Sequence, residues 1–293
     1  MDKKRISPAA IATLIVVAIA VALVGSSGFY TDFLWFKQLG YASVFTTNLV
    51  AQVGLFAAAA IFMGVATWAS LAIAFRNRPI YVQTVVDDRP GFAAYRALLT
   101  QIRKFVVVVV PVALALFAGV ASSANYKTLL LFLNAVPAGV TEPQFKLDVS
   151  FYMFQLPFLT LLDGYLSTVA FLCFALSLVI HLVFGSIKIN QRAVTFSKPA
   201  RLQVAISGAV FILLQAGSIW LDQYQTMTSA SGLYTGATYA DVNARIPGFQ
   251  IMAGIAVLVA ATFIYTAIVG KWRLPIMATG LMIVTSLLVG GIY

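Results

Sequence analysis

Seven long apolar runs divide the chain, and each is long enough to cross a membrane as a helix. A hydrocarbon layer about 30 Å thick takes roughly 20 apolar residues of helix. Continuous runs exclude a transmembrane β-barrel, whose strands alternate apolar and polar residues. With 61% hydrophobic and 10% charged residues among 293, the chain has the composition of an integral membrane protein. The predicted spans are residues 6–24, 49–75, 105–124, 165–184, 204–221, 249–269 and 274–293.

The basic residues are distributed unequally between the segments that connect these spans. Alternate segments beginning with the N-terminus carry fifteen of the 19 basic residues, and the other segments carry only Lys37, Lys127, Lys146 and Arg245. Cytoplasmic segments of membrane proteins carry an excess of Lys and Arg. The sequence therefore predicts an all-α membrane protein: a seven-transmembrane helix bundle with interfacial helices, a cytoplasmic N-terminus and an extracytoplasmic C-terminus. The same asymmetry explains the net charge of +10, so no nucleic-acid partner is predicted.

The segment between the second and third spans predicts a helix on the cytoplasmic face. From Arg89 onward the apolar residues recur at helical spacing, at Phe92, Tyr95, Leu99 and Ile102. Basic residues at such a surface attract anionic lipid by about 1 kcal/mol each. The cytoplasmic basic residues expected to face lipid are Arg76, Arg78, Arg96, Arg103, Lys104, Lys188 and Arg192.

The stretch GFYTDFLWFKQLGY, residues 28–41, holds six aromatic residues in fourteen. Helical spacing places Phe29, Phe33 and Phe36 on one face, and aromatic rings favour the headgroup level. The stretch predicts an interfacial element at the outer leaflet, and a docking surface for another chain is the alternative. The candidate interaction surface consists of Phe29, Phe33, Trp35, Phe36, Tyr41, Phe151 and Tyr152.

Asp163 is the one acidic residue inside an apolar run and is a candidate for a polar site. Residues 151–184 would extend about 51 Å as one straight helix, which exceeds the bilayer. Pro157 and Gly164 are therefore predicted to end a surface element, with the true span beginning at Tyr165. On this interpretation Asp163 caps the following helix, and a substrate or proton site is the alternative.

The inventory of reactive residues is small and predicts no catalytic, cofactor or metal site. His181 is the single histidine, which excludes multi-histidine metal centres, and neither a phosphate-binding G-x-x-x-x-G-K-[ST] loop nor a G-x-S-x-G elbow occurs. His181 is expected at the cytoplasmic interface, with a proton relay as the alternative. The polar segment around residues 222–249 predicts a docking surface for an extracytoplasmic domain, and a cation site from Asp222 and Asp241 is the weaker alternative.

Three segments carry a resemblance to a known family: GFYTDFLWFKQLGYASVFTT, EPQFKLDVSFYMFQLPFL and GLYTGATYADVNARIPGF. They resemble a family of uncharacterised multi-pass membrane proteins of actinobacteria and cyanobacteria, over essentially the whole chain. The resemblance implies a seven-helix membrane region in the bacterial plasma membrane, followed by a large extracytoplasmic domain that is expected after residue 293. Members of the family are often encoded near a membrane-anchored PDZ-type protease, so the resemblance implies such a protease as a candidate partner. It implies no established activity.

These observations favour a non-enzymatic function. We expect a membrane-anchoring and assembly domain of a cell-envelope protein, which orients an extracytoplasmic domain. Its expected partners are membrane lipids and either further copies of itself or another envelope membrane protein. The alternative is a transporter or channel for a small or lipidic substrate, because apolar helices line lipid pockets and bundles alike.

Overall fold

Long apolar helices form most of the protein in a computed structural model, which describes residues 8–77, 98, 100–189, 194–230 and 235–292. Two π-helical turns and a short hairpin interrupt them in the described part of the chain. The helices are α1 Pro8–Gln38, α2 Ala42–Arg76, α3 Arg103–Ser123, α4 Tyr126–Leu133, α5 Leu156–Val183, α6 Lys198–Gln225, α7 Ile246–Val269 and α8 Arg273–Ile292. The π-helical turns are Phe151–Gln155 and Asp241–Arg245, and the hairpin pairs β1 Ile187–Ile189 with β2 Val194–Phe196.

Five helical segments of the described chain are long and apolar enough to cross a membrane. They are Ala42–Arg76, Arg103–Ser123, Phe151–Val183, Lys198–Thr228 and Asp241–Val269. The predicted all-α class is confirmed, and the length and composition of these five segments are compatible with a membrane helix bundle. The predicted cytoplasmic helix that begins at Arg89 lies outside the described residues.

The aromatic stretch is not a separate interfacial element, which corrects its predicted boundary. α1 continues from Pro8 to Gln38 and therefore includes most of residues 28–41. Gly25 and Gly28 lower helix propensity by about 1 kcal/mol each, which does not stop a long apolar helix. The helix ends only before Gly40, whose φ of +77° is the left-handed conformation that favours glycine.

The predicted break at Pro157 and Gly164 is also wrong. The π-helical turn at Phe151–Gln155 leads directly into α5, and together they form one helical segment of 33 residues. Pro157 lies in the first turn of α5, where its missing N–H costs no intrahelical hydrogen bond. Gly164 lies in the interior of α5. The helix therefore begins well before Tyr165.

The chain divides into two compact units, Met1–Gly54 and Leu55–Tyr293, and α2 contributes to both. In the first unit, α1 packs through its aromatic residues on the start of α2. In the second unit, α6 packs between α5 and α7, and α8 packs on α7. The buried cores of the second unit are rich in small residues such as Ala256, Ala260 and Ala216, which let helices approach closely.

Basic residues gather at one end of the second unit, which we call the basic end. There the C-terminal turns of α2 and α5 pack together through Leu71, Phe75, Ile180 and Phe184. The basic residues of this end are Arg76, Arg103, Lys104, Lys198, Arg201, Lys271 and Arg273. The opposite end of the same unit carries α4, both π-helical turns and the start of α5.

Candidate functional site

The predicted face of Phe29, Phe33 and Phe36 is present in the first unit. All three rings contact Phe45 of α2, with ring centroids 5.2, 5.6 and 5.8 Å away. This contact holds the end of α1 against the start of α2 by ring packing.

Part of this aromatic stretch remains exposed beside the contact with Phe45. The exposed fractions are 57% for Trp35 and 60% for Tyr41, and Phe29 is 50% exposed although one side of its ring packs on Phe45. Trp35 also packs edge-on against Phe36, with centroids 5.1 Å apart. The end of α1 therefore presents large rings in a fixed arrangement.

Phe151 and Tyr152 belong to a different unit and to a different environment. Tyr152 is only 7% exposed, and its hydroxyl donates to Glu142 Oε2 over 3.1 Å. Its burial corrects its assignment to an exposed interaction surface. Phe151 packs on Tyr224 at the end of α6, with ring centroids 5.5 Å apart, and Phe145 packs on the same ring at 4.8 Å.

Two carboxylates, Asp148 and Glu142, accept the hydrogen bonds that stabilise the loop before the π-helical turn Phe151–Gln155. The sequence analysis identified neither of them. Asp148 accepts hydrogen bonds from the backbone N–H groups of Ala138 at 3.0 Å, Gly139 at 2.9 Å and Ser150 at 2.8 Å. Hydrogen bonds from the hydroxyl and backbone N–H of Ser150, and then from Ala138 and Gly139, lower the pKa of Asp148 to about 2. The D-x-S pattern at residues 148–150 is typical of such a turn and is the feature that predicts it.

Glu142 plays the same part on the other side of the loop. Its carboxylate accepts the backbone N–H of Phe145 at 2.7 Å and that of Gln144, in addition to the Tyr152 hydroxyl. These bonds hold the segment EPQFKLDVSFY as one folded loop whose rings rest on α6. The loop forms an ordered surface at the end of the second unit that lies opposite the basic end.

Asp163 lies in the interior of α5 and does not cap a helix. Because α5 begins at Leu156, the backbone N–H groups near Asp163 are already bonded within the helix. Its side chain instead faces α6, where it hydrogen-bonds Ser218. A Cβ atom built on Gly217 would lie 3.0 Å from Asp163 Oδ1, so the glycine provides the space for the carboxylate.

Further polar side chains from α5, α6 and α7 extend this position into a cluster. Gln225 Nε2 donates to Asp222 Oδ1 over 3.3 Å and to Thr160 Oγ1 over 3.4 Å. One turn away, Gln250 Nε2 donates to Gln223 Oε1 over 3.0 Å, and Gln223 is 1% exposed. We call Thr160, Asp163, Ser218, Asp222, Gln223, Gln225 and Gln250 the carboxylate cluster.

The carboxylate cluster does not form a multidentate metal site. Among the described residues, no three His, Cys, Asp or Glu side chains come together as metal ligands. Asp241 accepts the N–H and the hydroxyl of Thr238, both at 2.9 Å, and its ion pair with Arg245 measures 3.6 Å. The alternative prediction was a cation site between Asp222 and Asp241. The Arg245 guanidinium already supplies a positive charge beside Asp241.

His181 is fully buried near the basic end, in the last turn of α5, and its predicted position at the cytoplasmic interface stays a prediction. Its Nε2 lies 3.0 Å from Gln203 Oε1 of α6, and Gln203 Nε2 donates to the backbone oxygen of Ser70 in α2 over 2.8 Å. Ser70 Oγ in turn donates to the backbone oxygen of Cys173 over 2.9 Å. We call Ser70, His181 and Gln203 the buried network. Sequence reasoning missed Gln203, although a lone amide in the apolar run ARLQVAISG is the pattern that marks it.

The structure describes some, but not all, of the basic residues that the sequence predicts to face lipid. Arg76 and Lys104 are exposed, and the Arg103 guanidinium lies 5.7 Å from the centre of the Phe75 ring. Lys188 is in β1, and Arg78, Arg96 and Arg192 lie outside the described residues. Arg201 donates to the Ile268 carbonyl oxygen over 3.3 Å, where a cation stabilises the C-terminus of α7.

Apolar helices, buried polar clusters between them and exposed rings at helix ends together define a helical membrane protein. The chain belongs to the uncharacterised protein family UPF0182, whose family model matches residues 9–293. This confirms the resemblance to an uncharacterised bacterial family.

The relatives are UPF0182 proteins of actinobacteria. The chain is 41% identical to the one of Clavibacter sepedonicus over 290 residues, which is 98% of this chain and 29% of the relative. It is 39% identical to the one of Micrococcus luteus over 287 residues, 97% of this chain and 27% of the relative. For Rhodococcus erythropolis the identity is 39% over 287 residues, 96% of this chain and 30% of the relative. The chain thus spans less than a third of the length of these relatives, and no solved structure matches it.

Proposed function

We propose that the chain is the membrane-anchoring and assembly domain of a longer cell-envelope protein in the bacterial plasma membrane. It orients an extracytoplasmic domain and contacts itself or a partner membrane protein. The proposal assigns no catalytic step to this part of the protein. A membrane-anchored PDZ-type protease is one candidate partner, and further copies of the chain are another.

The observation that carries the proposal is the exposed aromatic surface of Phe29, Trp35 and Tyr41. Trp, Tyr and Phe are enriched at the cores of protein interfaces, where their rigid rings bury large areas at a small entropic cost. The rings stand on a helix end whose inner face is already packed on Phe45. The surface is therefore held in place before any partner binds, which favours assembly.

The proposed topology has seven spans, with the N-terminus in the cytoplasm and the C-terminus outside. α1 and α8 would supply the two spans beyond the five that length and apolarity already support. The gathering of basic residues at one end of the second unit favours that end as the cytoplasmic one. On this topology the loop around Asp148 faces outward, beside the region that the longer relatives carry.

The test is the native mass of the full-length protein after gentle purification from its own cells. We expect a fixed oligomer or a stoichiometric partner, which the variant Phe29→Ala/Trp35→Ala/Tyr41→Ala loses. The matched control is Trp68→Ala/Phe117→Ala/Phe171→Ala, which removes three exposed rings from the second unit and should keep the complex. A monomeric wild-type protein, or a complex that the aromatic-surface variant keeps, contradicts the proposal.

The second candidate function is transport of a small or lipidic substrate, and the carboxylate cluster favours it. Polar side chains between membrane helices mark substrate and proton pathways more often than chance. Here Asp163 and Asp222 lie between α5 and α6 with amide groups around them.

Flux measurements separate the two functions. Full-length protein in liposomes is assayed for proton entry with an internal pH-sensitive dye and for flipping of a fluorescent phospholipid. A transporter gives flux that Asp163→Asn abolishes and that Asp148→Asn, outside the helices, leaves unchanged. An assembly domain gives no flux with either probe.

A further inference from the structure

A groove runs along the outside of the second unit between α2 and α6. Its volume is about 630 Å³, and Cys173 of α5 contributes to its wall. This volume lies within the range of about 300–1,000 Å³ that is typical of sites for single small ligands. The carboxylate cluster and the aromatic surface do not border it.

The wall of the groove is mostly apolar, and three of its four polar side chains, Ser70, Gln203 and Ser207, donate hydrogen bonds to backbone oxygens. Ser70 Oγ donates to the Cys173 carbonyl oxygen at 2.9 Å, Gln203 Nε2 to the Ser70 carbonyl oxygen at 2.8 Å, and Ser207 Oγ to the Gln203 carbonyl oxygen at 2.8 Å. The remaining wall includes Ala66, Ala69, Ile73, Leu202 and Ile206. Because the donors already have partners, hydrocarbon can cover the wall without burying unpaired polar groups.

The length of the groove matches one leaflet. Its wall on α2 extends from Ala66 to Asn77, which is about 16 Å at a rise of 1.5 Å per residue. Half of a hydrocarbon core about 30 Å thick is about 15 Å. A single lipid chain of one leaflet therefore fits the groove from end to end.

Two basic residues are chain neighbours of the residues at one end of the groove. The residues that line this end, Asn77 and Pro199, directly follow Arg76 and Lys198 in the chain. The side chains of Arg76 and Lys198 are exposed, and neither forms an ion pair with another residue that the structure describes. Two cations next to one end of an apolar groove complement a ligand with an anionic head and a hydrocarbon tail.

We infer that the groove binds one acyl chain of an anionic glycerophospholipid, whose phosphate lies between Arg76 and Lys198. This site goes beyond the assembly function, since it requires neither the aromatic surface nor a partner protein. A bilayer lipid fits as the occupant because the groove combines an apolar wall, the length of one leaflet and basic residues next to one end. Ser70 and Gln203 hold the wall together, so the buried network shapes the site.

The charge of the site is tested by lipid retention. Full-length protein is placed in nanodiscs of equal parts phosphatidylglycerol and phosphatidylcholine, released, and analysed by native mass spectrometry. Wild-type protein should retain phosphatidylglycerol, and Arg76→Gln/Lys198→Gln should lower its preference over phosphatidylcholine by about fivefold for each charge removed. The control Lys127→Gln/Lys146→Gln removes two exposed cations elsewhere and should leave the preference unchanged. Equal retention of both lipids by wild-type protein overturns the inference, as does an equal effect of the two double variants.

The groove itself is tested by filling it. Ala69→Trp places an indole in the groove, whereas Ala58→Trp places one on an exposed position of the same helix. We expect Ala69→Trp to lose the retained phosphatidylglycerol and Ala58→Trp to keep it. Retention by both variants overturns the site. A dimer mass that Ala69→Trp abolishes would show that a second copy of the chain occupies the groove, and it would also overturn the inference.

Discussion

Gly119 of α3 shows how single residues fix helix packing in this protein. A Cβ atom built there would lie 2.8 Å from two ring carbons of Phe56 and 3.1 Å from the Phe56 carbonyl oxygen. The ring can rotate, but the backbone oxygen can move only with α2. By contrast, a Cβ on Gly164 in the interior of α5 meets no atom within 4 Å.

The pair of glycines gives a matched prediction. Gly119→Ala should destabilise the protein by about 1–3 kcal/mol, since an extra methyl group in a filled contact forces the helices apart. Gly164→Ala should be neutral or stabilise by up to about 1 kcal/mol, since alanine favours the helix and the space is open. Thermal unfolding in one detergent measures both. Equal midpoints for the two variants would show that α2 and α3 do not pack at Gly119.

Asp148 gives a pH dependence whose direction follows from its lowered pKa. The hydrogen bonds from Ser150, Ala138 and Gly139 lower the pKa of Asp148 to about 2 in the folded loop, from its ordinary value of 3.8. Its contribution is therefore complete above about pH 4 and is lost as the pH falls through about 2. Hydrogen exchange of peptides that cover residues 138–150, corrected for intrinsic rates, should show the loop opening in this window.

The control for this measurement is Asp148→Asn, which cannot titrate. Its loop should exchange faster at pH 6 than that of the wild-type protein, and the two should converge towards pH 2. If both proteins show the same profile at every pH, Asp148 does not hold the loop, and Glu142 alone would have to account for its fold.

At the level of whole elements, the buried network joins three helices. Gln203 of α6 contacts His181 of α5 and Ser70 of α2, and all three side chains lie in the same packed region. Interhelical hydrogen bonds in membranes contribute about 0.6 kcal/mol on average and up to about 1.7. The network therefore contributes more to selecting which helix faces pack together than to the stability of the bundle.

Removing Gln203 tests this view. Gln203→Leu should cost about 1–2 kcal/mol, because it breaks both interhelical contacts and leaves His181 buried without its Nε2 partner. Ser207→Ala, on the same helix, removes only bonds to the backbone of α6 and should cost less than about 0.5 kcal/mol. Unfolding midpoints of the two variants decide this, and equal values would remove the interhelical role of Gln203.

The sequence predicts the membrane helices well and their ends poorly, for a physical reason. Apolar runs must be helical in hydrocarbon, but a helix also continues into the headgroup region wherever the next residues tolerate it. α1 therefore extends through the aromatic stretch to Gln38, and α5 passes Gly164 without a break. Glycines in a long apolar helix and a proline in the first turn do not break these helices.

The candidate site was predicted only in part. The shared face of Phe29, Phe33 and Phe36 follows from helical spacing alone. The burial of Tyr152 and His181 does not, since it depends on Glu142 and Gln203, which approach from other segments. Asp163 was noticed by its charge, but its partner Ser218 and the space at Gly217 belong to the packing of α5 on α6.

For the whole molecule, the number of membrane crossings determines on which side of the membrane each surface lies. Five helical segments satisfy length and apolarity, and the proposed topology adds α1 and α8. Cys173 is the only cysteine of the chain. A Cys173→Ala background therefore allows single cysteines to report sidedness, through a membrane-impermeant maleimide added to intact cells.

Two pairs of positions test the two added crossings separately. If α1 crosses, a cysteine at Lys37 is labelled from outside and one at Lys3 is labelled only after permeabilisation, since the bilayer separates them. If α8 crosses, a cysteine at Tyr293 is labelled from outside and one at Lys271 is not. Labelling of both cysteines, at positions 3 and 37, from outside would remove α1 as a span. The basic end would then stay in the cytoplasm, because α2 alone separates Lys37 from Arg76. Labelling of Arg76→Cys in intact cells would instead invert the whole protein and place the proposed lipid site in the outer leaflet.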